Sequence, residues 1–179
     1  MRRALWNFSI YILGFLTGLV LLFANASRAD EPPFESALLD KLVGAWVLTG
    51  TIAGEATVHD IVADWVLGHQ YLRIDEVARE TNELGAPAYE ATVFIGFDKP
   101  SGRYVCLWLD VTGGGGLAND VFGYAVPEDD RLNFVFGDEN GRILNTFFYD
   151  QDNDSWTWVI NNEKDGEISP FARVDLARK

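Results

Sequence analysis

"RLNFVFGDENGRILNTFFYDQDNDSWTWVINN", residues 131–162, contains three short apolar runs separated by two turns. In Arg131–Gly137 the residues Leu132, Phe134 and Phe136 recur at every second position, as do Trp156, Trp158 and Ile160 in Ser155–Asn162. A period of two puts each trio on one face of a strand, with Asn133, Thr157 and Asn161 on the other. Between the runs, Asp138–Gly141 and Gln151–Asp154 supply the Gly, Asn and Asp that tight turns need. The same grammar extends over most of the chain. Strand-like runs are expected at Leu42–Ala53, Thr57–Leu67, His69–Glu80, Ala88–Asp98, Arg103–Thr112, Leu117–Val126, Arg131–Gly137, Arg142–Asp150, Ser155–Asn162 and Glu167–Leu176. Ten strands joined by short loops form an antiparallel meander, and closing it removes the two edges that would otherwise recruit other chains. The expected fold is therefore all-β, an up-and-down barrel of about ten strands, wider inside than an eight-stranded barrel that side chains nearly fill. Ahead of the first strand, Phe34, Leu38 and Leu42 recur at i, i+4 and i+8, which predicts one short helix able to plug the barrel.

Residues 1–29 read as an export segment: Arg2 and Arg3, an apolar stretch from Ala4 to Ala24, then the small-x-small sites Ala24-Asn25-Ala26 and Ser27-Arg28-Ala29. Cleavage after Ala29 leaves one domain, residues 30–179, in the periplasm or outside the cell. The alternative is an uncleaved anchor on residues 4–24, the only route by which a membrane partner is expected. The exported part would carry 11 basic against 27 acidic residues, a formal charge of −16. A field of that sign repels phosphate backbones, so no nucleic-acid partner is expected. Cys106 is the single cysteine, so no internal disulfide forms, and its place between Val105 and Leu107 marks it as a buried small hydrophobe.

On the first strand, Gly44-x-Trp46 resembles the G-x-W signature of the calycins, the superfamily of lipocalins and fatty-acid-binding proteins. More specific are Gly96-Phe97-Asp98 followed by Arg103-Tyr104-Val105-Cys106-Leu107-Trp108-Leu109-Asp110, and the earlier Leu67-Gly68-His69-Gln70-Tyr71-Leu72-Arg73. Together they resemble a lipocalin-like bacterial family catalogued as a domain of unknown function, over roughly residues 38–176. The sequence departs from that pattern at His69, where a second glycine is expected. The resemblance implies an up-and-down barrel and no established activity. It also implies that Trp46 packs at the closed end under a basic side chain of the last strand, Arg173, with Arg178 as the alternative, while Gly44 allows close approach of the neighbouring strand. The related nitrobindin-type barrels hold haem through a histidine late in the chain; none follows His69 here, and no cofactor is expected.

Chemistry is signalled only faintly. His59 shares strand parity with Ile61, Ala63 and Trp65 and so points inward, either as a hydrogen-bonded core residue or as a base. Tyr104, Trp108 and Asp110 share a face, and Asp110 precedes the glycines 113–116, where its carboxylate can orient a ligand head or accept bonds from the turn. The glycine run suggests a portal. Asp150-x-Asp152-x-Asp154 copies the start of a calcium loop but lacks the glycine and glutamate that complete one, so no metal site is expected. Neither a nucleophile elbow nor a zinc motif is present in the sequence. The expected function is binding of a small apolar or amphipathic ligand, without catalysis, in a barrel lined by Phe94, Trp108, Phe134, Phe136, Trp156 and Trp158, with Asp110 and His59 as polar groups. The alternatives are an enzyme using a lumen carboxylate or His59, and an interaction module whose barrel is filled.

Overall fold

A computed structural model describes residues 32–113 and 121–179. The chain runs α1 (Ala37–Leu42), β1 (Gly44–Ile52), β2 (Glu55–Val66), β3 (Tyr71–Ala78), β4 (Glu90–Asp98), β5 (Arg103–Asp110), β6 (Phe122–Ala125), β7 (Arg131–Asp138), β8 (Gly141–Asp150), β9 (Ser155–Lys164) and β10 (Glu167–Arg178). Each strand pairs antiparallel with its neighbours in sequence, and β1 also pairs with β10, so the sheet closes into a barrel. Each of the ten expected runs contains a strand; of the run Leu117–Val126, residues 117–120 lie outside the described residues and Phe122–Ala125 form β6. The export segment, its anchor alternative on residues 4–24 and the glycines 114–116 lie outside the described residues.

One end of the barrel is sealed by α1. Ser36 caps the helix, its hydroxyl accepting from the Leu39 amide at 3.2 Å while also bonding the Tyr104 hydroxyl at 2.9 Å. Leu38, Leu39 and Leu42 face into the core with Trp46, Ile61, Leu72, Ile95, Leu132, Trp156 and Leu176. Phe34, just ahead of the helix, stacks on Phe97 with ring centroids 5.2 Å apart. Both buried indoles at this end donate to the helix: Trp46 Nε1 to the Leu42 carbonyl at 2.7 Å and Trp156 Nε1 to the Lys41 carbonyl at 3.4 Å. A polar handle on a large apolar ring thus satisfies the carbonyls that a helix C-terminus leaves without partners.

The cation over Trp46 is Arg178, with its guanidinium carbon 3.8 Å from the ring centroid. This corrects the expectation for Arg173, which pairs with Thr51 and lies exposed on the outer face. Strand parity explains the difference: Ala172, Val174 and Leu176 are buried, and two residues further Arg178 reaches the plug. Its Nη1 donates to Val43 O at 2.6 Å, its Nη2 to Lys41 O at 3.0 Å, and its Nε to Asp154 at 2.9 Å. Gly44 serves this group more than strand approach. It holds φ +127°, and a Cβ there would lie 2.6 Å from Arg178 Nη1. His69 keeps the positive φ, +65°, that makes glycine the expected residue there, and its imidazole stacks on Trp65 at 4.1 Å, which offsets part of that cost.

Trp46→Ala is expected to cost about 3–5 kcal/mol, in the range of buried aromatic truncations. Arg178→Ala should cost about 1–2 kcal/mol for a half-exposed guanidinium that holds both a ring and two carbonyls, whereas Arg173→Ala should stay within about 0.5 kcal/mol. Urea unfolding of the three variants checks the order; equal effects of the two arginines would sink this account of the plug.

Candidate functional site

At the end of the barrel opposite α1 the lumen is not filled. A cavity of about 820 Å³ opens there, within the roughly 300–1,000 Å³ typical of small-molecule sites. Its depth is set by Leu48, Trp158 and Val174, and its rim by Ile52, Glu55, Glu80, Thr112 and Phe171. The space exists because inward positions in this half are small or polar, among them His59, Ala78, Asn145 and Ala172, where the sealed half places indoles and leucines. Phe136 closes one wall. It lies across β6 at Gly123, where a Cβ would meet its ring at 2.6 Å.

Two polar groups converge on one side of the cavity. The first is a series of three side chains. Thr57 and His59 share the inward face of β2, and the Thr57 hydroxyl lies 2.6 Å from His59 Nε2. His59 Nδ1 is hydrogen-bonded to the Glu76 carboxylate on β3, with both residues buried. With Nδ1 donating to the carboxylate, Nε2 of the neutral ring is left to accept from the threonine hydroxyl, so the imidazole is fixed at both nitrogens. Hydroxyl, imidazole and carboxylate in that order form the arrangement by which a base activates a hydroxyl.

The second group is centred on Tyr89, in the loop before β4. Its ring stacks on His59 at 5.6 Å, its hydroxyl donates to Asp110 Oδ2 at 3.3 Å, and it receives the Trp108 indole N–H at 3.2 Å. Burial pushes the Tyr89 phenol well above its ordinary value, and the negative charge of Glu76 adds to the effect. Asp110 also accepts from the Thr112 amide and hydroxyl, each at 2.7 Å, so the same carboxylate terminates β5 and faces the cavity.

Deeper in the lumen, Asn145 Oδ1 and Trp158 Nε1 have no hydrogen-bond partner. Asn145 is 3% and Trp158 2% exposed, and both line the cavity. They stand on adjacent strands: Asn145 is opposite Ile160 and Trp158 is opposite Phe147, which makes them diagonal neighbours on the inner face. An acceptor and a donor without partners therefore stand on adjacent strands at the base of the chamber, each covered by its neighbours.

Of the residues expected to line the lumen, His59, Trp108, Asp110, Phe136 and Trp158 do so. Phe134 and Trp156 are buried in the packed half and do not reach the cavity. Phe94 is misplaced by the sequence reading: Ala91, Val93 and Ile95 take the inward positions of β4, and Phe94 faces outward between Arg73 and Leu107. The sequence reading passed over Thr57, Glu76, Tyr89 and Asn145. Parity could have found two of them, since Glu76 alternates with Leu72, Ile74 and Ala78, and Asn145 with Phe147. Tyr89 sits in a loop, where alternation carries no signal. At the hairpin tip, Asp150 accepts from the amides of Asp152 and Asn153, and Asp154 is taken by Arg178 and Tyr149. Comparison with known proteins gives no match to any family model and none to a curated protein.

Burial also pushes the Cys106 thiol upward. Both it and the Tyr89 phenol keep their protons in the fold at pH values where the unfolded chain loses them, from about 9.0 for the thiol and 10.0 for the phenol. Their contribution is complete below those values and is lost as pH rises through them. Unfolding free energy should therefore decline above pH 9 and more steeply above pH 10, and Tyr89→Phe should flatten the second limb by about 1.4 kcal/mol per pH unit. Urea titrations from pH 8 to 11 would show it; an unchanged slope in the variant would rule it out.

Proposed function

We propose that this protein is an exported, lipocalin-like carrier that holds a small amphipathic molecule in the open half of its barrel. The observation that carries the reading is the cavity of about 820 Å³ at the end of the barrel opposite α1, a volume suited to a small molecule. Leu48, Phe136, Ile160 and Val174 offer apolar contact for most of the solute, and Glu55, Glu80 and Asp110 offer polar groups for its head. The acidic charge and the basic and apolar residues at positions 2–24 support export.

Fluorescence of a neutral solvatochromic dye such as Nile red tests this directly. The dye should brighten with the protein, and Asn145→Leu should weaken the interaction of solutes that compete with it while leaving the ligand-free protein equally or more stable. A residue kept for stability would behave in the opposite way, because replacing an unpaired buried amide by an isosteric apolar group removes a cost. Failure of any dye or amphiphile to bind would end the carrier reading. Native mass spectrometry of protein from the exported fraction would in addition show whether residues 1–29 are removed.

A second reading rests on Thr57, His59 and Glu76. Their order suits attack by the Thr57 hydroxyl on an ester: its proton passes to His59 Nε2 and on to the departing alkoxide as the ester C–O bond breaks, and water then releases the acyl group from Thr57 as the free acid. Hydrolysis of a nitrophenyl ester that is abolished by Thr57→Val and by His59→Gln alike would favour it.

A further inference from the structure

We infer that the polar head of the solute is an amine, held as its ammonium form, and that acids are rejected; this rests on the carrier reading above. The charge lining the cavity is of one sign. Glu55, Glu76, Glu80 and Asp110 contribute carboxylates, and among the described residues the single basic side chain on the lining is His59, already bonded to Glu76. A carboxylate or phosphate head brought into this chamber meets like charges across a medium less polar than water and finds no guanidinium or ammonium to offset them.

An ammonium meets the opposite conditions. It donates three hydrogen bonds and accepts none, and Glu55, Glu80 and Asp110 are acceptors on the lining. Trp108, Tyr89, Phe136 and Trp158 line the same space, and aromatic faces attract cations more strongly when water is excluded. At the rim the oxygens of Asp110 accept from Thr112 and Tyr89. The formal charge of −13 over the whole chain draws cations toward the surface before they enter. The class that meets these demands is an apolar amine.

Competition against bound Nile red with decylamine, decanol and decanoate at pH 7 separates the cases, because the three share a tail and differ in head. Decylamine should displace the dye at least tenfold more tightly than decanoate and several-fold more tightly than decanol, and Asp110→Asn should narrow the first ratio without changing the affinity for decanol. Decanoate binding as tightly as the amine, decanol matching it, or a dye that none of the three displaces overturns the amine assignment and leaves the carrier reading standing. If the dye itself does not bind the unmodified protein, both fall together.

Discussion

The stack of Arg178 on Trp46 is the contact through which three distant parts of the chain are joined. The arginine belongs to the last strand and the indole to the first, and the carbonyls that both groups bind belong to α1 and the residue that follows it. A barrel without this contact would still have its ladder and cross-strand neighbours such as Leu48 and Leu176, but the last strand would lose its side-chain bonds to the plug. With it, the guanidinium acts as a planar clasp that donates to Lys41 O in the helix, Val43 O just after it and the Asp154 carboxylate in the β8–β9 turn. Gly44 follows as a necessity, since any side chain at that position would occupy the place of the guanidinium.

Sealing one end determines what the other end can be. The large residues Trp46, Trp156, Leu39 and Leu42 are spent on the plug, and the far half is left with alanines, an asparagine and a histidine on its inward positions. A ten-stranded circumference cannot be filled by such residues. The cavity is thus a consequence of where volume is placed along the strands. The polar groups within it divide in two. Thr57, His59, Glu76, Tyr89, Trp108 and Asp110 satisfy one another and hold a fixed geometry, while Asn145 and Trp158 are each left with one bond unmade. A satisfied network specifies shape, and an unsatisfied pair marks where packing leaves bonds unmade.

Much of this was legible in the residue order. Alternation gave the ten strands and their inward faces, and the i, i+4, i+8 spacing gave the helix, because both follow from backbone geometry that tertiary contacts seldom override. The errors came where composition was weighed above parity. Phe94 was placed inside for being aromatic, although its neighbours Val93 and Ile95 held the inward phase. Arg173 was preferred to Arg178, although Val174 and Leu176 set a phase that only Arg178 shares. Glu76 shares the inward parity of Leu72, Ile74 and Ala78, but a carboxylate there makes sense only beside its histidine partner on the neighbouring strand. What no sequence pattern supplies is the absence of a partner: that Trp158 lacks an acceptor and Asn145 a donor depends on every neighbour at once.

The short strand β6 gives the barrel an uneven circumference. Its described ladder to β7 consists of two pairs, Gly123 with Phe136 and Tyr124 with Val135, whereas β7 and β8 pair along their whole length. That seam carries Phe136, a wall of the cavity, and stands apart from the clasp of Arg178 on Trp46. Among the described residues the container is therefore laced most thinly on the flank beside Phe136, away from the end that the guanidinium fastens.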